Sequence, residues 1–220
     1  MIYNHKFARF QLKNVIPAIK TYKAYPVVDT GIVYFCGSQG SGKTTSLCAY
    51  LQVLCDLYGK DNIKVYSELP LLSWFDGSQI DYYPFSVDLL VNQAFEEHKL
   101  NIICLDEISV LFNSLESAKL PITIPNSLCQ LRKQKILILA TCQVYSRVSK
   151  QFREQATLTI LCSKKWIFQH NLVYDMATEG FTENLDFGSA KPIVNYVFIP
   201  HEEYNMFDTA YKITRKKVRK

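Results

Sequence analysis

Several features that would assign a chain at once are missing from these 220 residues. No apolar stretch approaches the roughly 20 residues needed to span a membrane. Residues 1–20 carry scattered charges and no apolar core of the signal-peptide kind. The sequence therefore predicts neither a transmembrane segment nor a secretory leader. There is no C-x-x-C pair and no close Cys/His cluster, which argues against a zinc site. Internal repeats are absent, and low complexity is confined to the C-terminal tail. With 48% hydrophobic and 20% charged residues, pervasive disorder, collagen-like repeats and coiled coil are excluded as the main architecture.

The charge that is present is unevenly placed. The formal net charge is +5, yet residues 212–220 alone hold six bases and no acid (Lys212, Arg215, Lys216, Lys217, Arg219, Lys220). Without that tail, 19 bases face 20 acids, so a near-neutral body carries a basic end. Such a tail can meet nucleic-acid phosphates, anionic lipid or only water. The seven cysteines, Cys36, Cys48, Cys55, Cys104, Cys129, Cys142 and Cys162, fall mostly inside apolar runs. They read as buried free thiols in a reducing compartment.

Apolar, β-rich runs alternate with helical patterns, which predicts an α/β fold with a mainly parallel sheet flanked by helices. Residues 31–36 (GIVYFC), 63–67 (IKVYS), 101–105 (NIICL), 136–142 (ILILATC) and 157–162 read as strands. Residues 44–58 read as a helix with Leu47, Tyr50, Leu51, Leu54, Leu57 and Tyr58 on one face, stopped by Gly59. Ser86 is positioned to cap a helix reaching about His98, and a further helix is expected over 126–134. Residues 166–174 and 192–200 predict a small C-terminal β extension, while 69–84 reads as a long loop without a placed role. The expected organisation is one domain over 1–211, with a core of about 31–162, an extension of about 163–211, and the tail 212–220.

Between the first strand and the first helix lies Gly37-Ser38-Gln39-Gly40-Ser41-Gly42-Lys43-Thr44, which fits G-x-x-x-x-G-K-[ST]. Phosphates need close approach of backbone N–H groups, and Gly37, Gly40 and Gly42 leave that approach open. The helix N-terminus favours negative charge. Lys43 would reach the β- and γ-phosphates and Thr44 would ligate Mg²⁺, with Thr45 completing the ATP-binding segment.

Asp106 and Glu107 end the strand NIICL, in the crevice where open α/β sheets bind ligands. Asp106 would hold Mg²⁺ through water and Glu107 would act as general base on an attacking water. Gln143 ends the next strand, where it would touch the γ-phosphate or the water. Arg132, Arg147 and Arg153 flank that strand, and any of them could supply positive charge to a neighbouring subunit's site.

These residues resemble the FtsK/HerA superfamily of ring ATPases, in particular viral genome-packaging ATPases and the zonula occludens toxin-like assembly ATPases of filamentous phages. The resemblance runs over about 31–211. It is carried by the phosphate loop with Asp106-Glu107, by residues 131–143 (LRKQKILILATCQ), and by Phe207-Asp208-Thr209-Ala210-Tyr211, similar to a Tyr-Asp-Thr-x-Tyr signature. It implies a RecA-like sheet, ATP hydrolysis at subunit interfaces, a ring (commonly a hexamer), and translocation of double- or single-stranded DNA. It also makes Arg132 the first candidate for the arginine acting in trans, with Arg153 next. The expectation is a packaging motor in the host cytoplasm or on the virion, with capsid or assembly proteins as further partners. The alternative is a toxin-like ATPase driving phage export at a membrane; a nucleotide kinase is the third reading.

Overall fold

In the computed structural model, residues 2–5, 25–115, 123–176, 187 and 189–208 are described. The basic tail 212–220, the end of the 207–211 signature and most of residues 1–20 lie outside them.

Seven strands fall on the expected runs, and three, Ile2–His5, Tyr25–Val28 and Tyr82–Pro84, were not anticipated. Numbered along the chain, they are β1 Ile2–His5, β2 Tyr25–Val28, β3 Gly31–Cys36, β4 Ile63–Ser67, β5 Tyr82–Pro84, β6 Leu100–Leu105, β7 Ile136–Cys142, β8 Ala156–Lys165, β9 Phe168–Asp175 and β10 Val194–Phe198. The helices are α1 Lys43–Tyr58, α2 Val87–Asn92, α3 Ile108–Leu111, α4 Thr123–Leu128 and α5 Lys150–Arg153. β1 and β2 form a separate antiparallel ribbon. The other eight strands make one sheet in the order β10-β9-β8-β3-β7-β6-β4-β5. All neighbours from β8 to β5 run parallel, and β9 and β10 are added antiparallel at one edge.

Continuous apolar runs, rather than alternating ones, mark strands covered on both faces. β3 shows how the pattern is divided. Val33 and Phe35 join the core under α1, while Ile32, Tyr34 and Cys36 join the core on the opposite face, with α2, α3, α4 and α5. β7 lies between β3 and β6, so the strand bearing the phosphate loop and the strand bearing Asp106 are separated by one strand, the RecA-like arrangement. Parallel register then brings the C-terminal ends of β3, β6, β7 and β8 to one edge.

Several expectations are corrected. α1 is not one-faced. It is buried nearly all round from Thr45 to Cys55, while Leu57 is exposed. Its outer side is covered by β2, where Val28 N–H donates to Tyr50 OH (2.8 Å), and by the 69–84 segment, where Phe75 N–H donates to Gln52 Oε1 (3.0 Å). That segment buries Leu69, Leu71, Trp74 and Ile80 and ends in the edge strand β5, so it is a packed cover rather than a loose loop. α2 stops at Asn92, not near His98, because Gln93 turns left-handed (φ 53°) and Asn101 then bonds the backbone of Glu96 at both N–H and C=O. Ser86 stands at the N-cap position without a side-chain cap bond. The helix expected over 126–134 is α4 at 123–128 followed by turns that lead into β7. Gly59 does terminate α1, its N–H donating to Cys55 O at 2.8 Å.

Candidate functional site

The site is assembled at the C-terminal edge of the parallel strands. Gly37 follows β3 directly, and its N–H donates to Cys142 O of β7 at 3.3 Å. Two glycines are required by geometry. Gly37 has φ +151° and a Cβ there would lie 2.6 Å from Cys162 O. Gly42 has φ +80°, and a Cβ there would overlap the side-chain amide of Gln169. A side chain at Gly37 would displace the backbone of β8, and one at Gly42 would displace the Gln169 side chain. Ser41 N–H donates to Ser38 O (3.2 Å), closing the loop on itself.

The first helical bond of α1 runs from Ser46 N–H to Gly42 O (2.9 Å), so the N–H groups of Lys43, Thr44 and Thr45 have no helical partner. They face the loop at the positive end of a 16-residue helix. The Thr45 side chain is buried, which leaves its backbone N–H as its contribution. Lys43 Nζ donates to Ser38 O at 3.0 Å, folded across a loop whose Ser38, Gln39 and Gly40 are exposed.

The acidic pair meets this loop. Thr44 Oγ1 donates to Asp106 Oδ1 at 3.5 Å, bringing together residues 62 positions apart. Thr141 lies fully buried in β7 and was not singled out by sequence; it is the joint between the two acids. Its Oγ1 donates to Asp106 Oδ1 (2.8 Å) and accepts from Glu107 N–H (2.8 Å). Glu107 sits in the left-handed region (φ 49°, ψ 62°), which a non-glycine residue adopts at a cost of about 1–3 kcal/mol. Its Oε1 accepts from Ser109 Oγ (2.6 Å) and from Gln143 N–H (3.3 Å). Both of these bonds fall on Oε1, not on Oε2. Gln143 is joined to Glu107 through its backbone N–H, and its side chain is exposed.

The arginines are not gathered here. Arg132 is exposed in the turn before β7, at the far end of a seven-residue strand, roughly 20 Å from the acidic pair at about 3.3 Å per residue. Arg153 is half-buried in the β7–β8 connection, its Nε donating to Val148 O at 2.9 Å. Arg147 is exposed on the short turn Tyr145–Arg147 that follows Gln143. Among the described residues, Arg153 is turned to Val148 O of its own connection and Arg132 lies at the other end of β7.

Beneath the loop, the thiols of Cys36 and Cys142 lie 3.1 Å apart on adjacent strands. Burial, and then the hydrogen bond to Cys142, hold the Cys36 thiol well above its ordinary range, so it is a neutral packing group. Burial likewise pushes Cys104 and Cys162 up to about 12. All seven cysteines are free, and Cys129 alone is exposed. Among the described residues no cluster of three or more His, Cys, Asp and Glu side chains forms a metal site, and no helix is long and apolar enough to cross a membrane.

A second polar layer, also missed in the sequence, supports the loop from β9. Gln169 Nε2 donates to Ser41 O (2.9 Å) and Asn171 Oδ1 (3.0 Å), and Asn171 Nδ2 donates to Ser46 Oγ (2.9 Å) and Tyr196 OH (2.8 Å). The sequence signal for it is faint: two amides two residues apart in a strand that is otherwise half apolar.

No protein-family model matches the sequence, and no curated protein is significantly similar to it. Solved structures do resemble it. The N-terminal domain of zonular occludens toxin from Neisseria meningitidis superimposes with a TM-score of 0.59 at 14% identity, covering 82% of this chain and all of that one. The genome packaging NTPase B204 from Sulfolobus turreted icosahedral virus 2, in complex with ATPγS, gives 0.53 at 13% identity over 79% of this chain and 98% of that one. B204 from Sulfolobus turreted icosahedral virus, a DNA-packaging ATPase, gives 0.52 at 14% identity. By its fold the chain is a RecA-like P-loop protein, resembling the zonular occludens toxin domain and the packaging ATPases.

Proposed function

We propose that this chain hydrolyses ATP and uses the energy to move DNA, packaging a viral genome into a capsid. The observation that carries the hydrolytic part is the convergence of Thr44, Asp106 and Glu107 on the phosphate loop through Thr141. A hydroxyl and a carboxylate within 3.5 Å of each other are hard oxygen donors of the kind that suit Mg²⁺. When bound there with ATP, the ion would neutralise charge on the β- and γ-phosphates.

The chain's own groups do the rest. The open N–H groups of Lys43, Thr44 and Thr45 receive the phosphates, and Lys43 exchanges Ser38 O for a phosphate oxygen. Glu107, with Oε1 held by Ser109 and Gln143, offers Oε2 to a water. As the water oxygen bonds to the γ-phosphorus, the bond to the β–γ bridging oxygen breaks, ADP leaves with that electron pair, and Glu107 takes the water's proton. A nucleotide kinase would need an acceptor other than water, and an acid beside the attacking position speaks against it.

In a ring, the exposed Arg132 of one copy would reach the next copy's γ-phosphate, with Arg153 as the second candidate. The likeness to B204, a packaging enzyme, supports the DNA-packaging reading. The likeness to the toxin domain supports the second reading, an ATPase acting in phage export at a membrane. The basic tail 212–220 would then track DNA phosphates in the first case and anionic lipid in the second.

The test is ATP hydrolysis with and without double-stranded DNA, alongside the mass of the particle with ATP bound. Stimulation by DNA and a closed oligomer support the motor. A monomer that DNA leaves unaffected overturns it, and binding to anionic vesicles that is lost on deleting 212–220 favours the export reading.

A further inference from the structure

The core face under α1 is mainly apolar, and one of its buried polar patches touches the phosphate loop. Gln169 and Asn171 project from β9 on the same face and are fully buried. Tyr196 of β10 is directly opposite Asn171 in the antiparallel register. Together with Ser46 they form a chain of hydrogen bonds from the edge of the sheet to Ser41 O. Buried amides are costly in a core unless every group is satisfied. Gln169 Oε1 has no partner, so packing alone does not explain a glutamine here. Leucine has nearly the same volume and would fill the space without that cost.

The bond to Ser41 O has a specific consequence. Peptide bonds are trans, with none cis among the described residues, so the C=O of Ser41 and the N–H of Gly42 lie in one plane and point in opposite directions. Holding Ser41 O towards β9 turns Gly42 N–H away from β9. Gly42 is the residue most able to let that plane rotate, since it has φ +80° and no side chain. Gln169 both bonds the plane's oxygen and packs against the Gly42 Cα, where a Cβ would not fit. Asn171 does the same service for the first turn of α1 through Ser46.

We propose that Gln169 is a positioning residue that locks the Ser41–Gly42 peptide in its phosphate-receiving orientation, and that β9 and β10 thereby set the affinity for nucleotide. This deepens the reading of Gly37–Thr44 as a triphosphate site and rests on it. Gln169 touches no substrate; it acts through the loop.

The experiment compares steady-state ATP hydrolysis of the full chain with that of Gln169→Leu, Gln169→Glu and Tyr196→Phe, with nucleotide-free melting temperatures for each. Gln169→Leu keeps the volume and removes the donor. The expected result is a KM for ATP raised about tenfold, the loss of one buried hydrogen bond to the loop, with kcat at saturating ATP within about twofold. Gln169→Glu keeps the shape but sets a carboxylate against Ser41 O, and its KM rises at least as far. Tyr196→Phe deletes only the outermost link and raises KM about two- to threefold. A purely structural glutamine would lower the melting temperature and leave KM where it was, which overturns the proposal. If Gln169→Leu does not fold, Tyr196→Phe decides: an unchanged KM overturns it. A wild-type chain that neither binds nor hydrolyses ATP would instead refute the triphosphate site itself.

Discussion

Thr141→Val is the sharpest perturbation of the candidate site, because it changes one oxygen into a methyl group of the same shape. Thr141 is fully buried, so no cavity opens and no new solvent contact forms. Two bonds are lost: Thr141 Oγ1 to Asp106 Oδ1 and Glu107 N–H to Thr141 Oγ1, each 2.8 Å. A bond to a charged group is worth about 1.5–3 kcal/mol, and an unsatisfied buried N–H costs about 1–3 kcal/mol. Some of this is recovered, because Glu107 can relax out of its left-handed conformation, releasing about 1–3 kcal/mol of strain. The net loss of stability is therefore about 1–3 kcal/mol, seen as a fall in melting temperature of about 2–4 °C per kcal/mol for a chain of this size. The same relaxation moves the carboxylate of Glu107 off the attacking water. Displacement by about 1 Å costs about 100-fold in rate, so kcat is expected to fall by at least tenfold while the Kd for ATP changes less than threefold. Stopped-flow phosphate release and calorimetric ATP binding read the two quantities separately, and Thr141→Ser, which restores the hydroxyl, should recover most of the turnover. Wild-type kcat in Thr141→Val would refute the role of this hydroxyl as the joint between the acids.

Other outcomes follow from the same geometry. Lys43→Ala should abolish ATP turnover, and Glu107→Gln should retain ATP binding with turnover reduced at least about 100-fold; normal turnover in the latter removes Glu107 as the base. Gly42→Ala should lose both stability and nucleotide binding, because φ +80° is strained for alanine and its Cβ meets Gln169; an unshifted melting temperature would contradict this. Native titration with an aromatic disulfide should find one fast thiol, Cys129, and all seven in denaturant. Burial raises the thiols of Cys104 and Cys162 to about 12, against about 8.5 when unfolded. A raised pKa gives stability that is present below the unfolded value and lost above it. Denaturant unfolding between pH 8.5 and 10 should therefore show a loss of about 2 kcal/mol for each of these two thiols, and a flat profile would show that they are solvated.

What could be read directly in the sequence is what depends on neighbours along the chain. The phosphate loop, β3, β4 and β7 appear with the expected bounds because their signals are local: glycine spacing, unbroken apolar runs and a Lys-Thr at a helix start. Asp106 and Glu107 were legible for the same reason, as two acids at the end of a buried strand. Helix ends were less so. α2 stops at Asn92 because Asn101, nine residues further on, bonds Glu96, and no local pattern in 86–98 announces that. The 69–84 segment gave no periodic signal because its buried residues pack against α1 and pair with Phe207, contacts set by the whole fold.

The sequence by itself determined the G-x-x-x-x-G-K-[ST] loop and the strand-end acid pair, each written in fewer than ten consecutive residues, and the mainly parallel sheet, written in the alternation of apolar runs and helical patterns. Only the tertiary structure decided how they act together. Thr44 and Asp106 come into contact across 62 positions, and Thr141 joins Asp106 to Glu107 across 35 and 34. Gln169 reaches the loop across 128 positions. The arginines, alike in sequence, are separated by the fold into one at the far end of β7, one bonded within the β7–β8 connection and one exposed beside Gln143. The physical reason is the same in each case. A hydrogen bond acts over about 3 Å, and the fold, not the order of residues, decides which groups come that close.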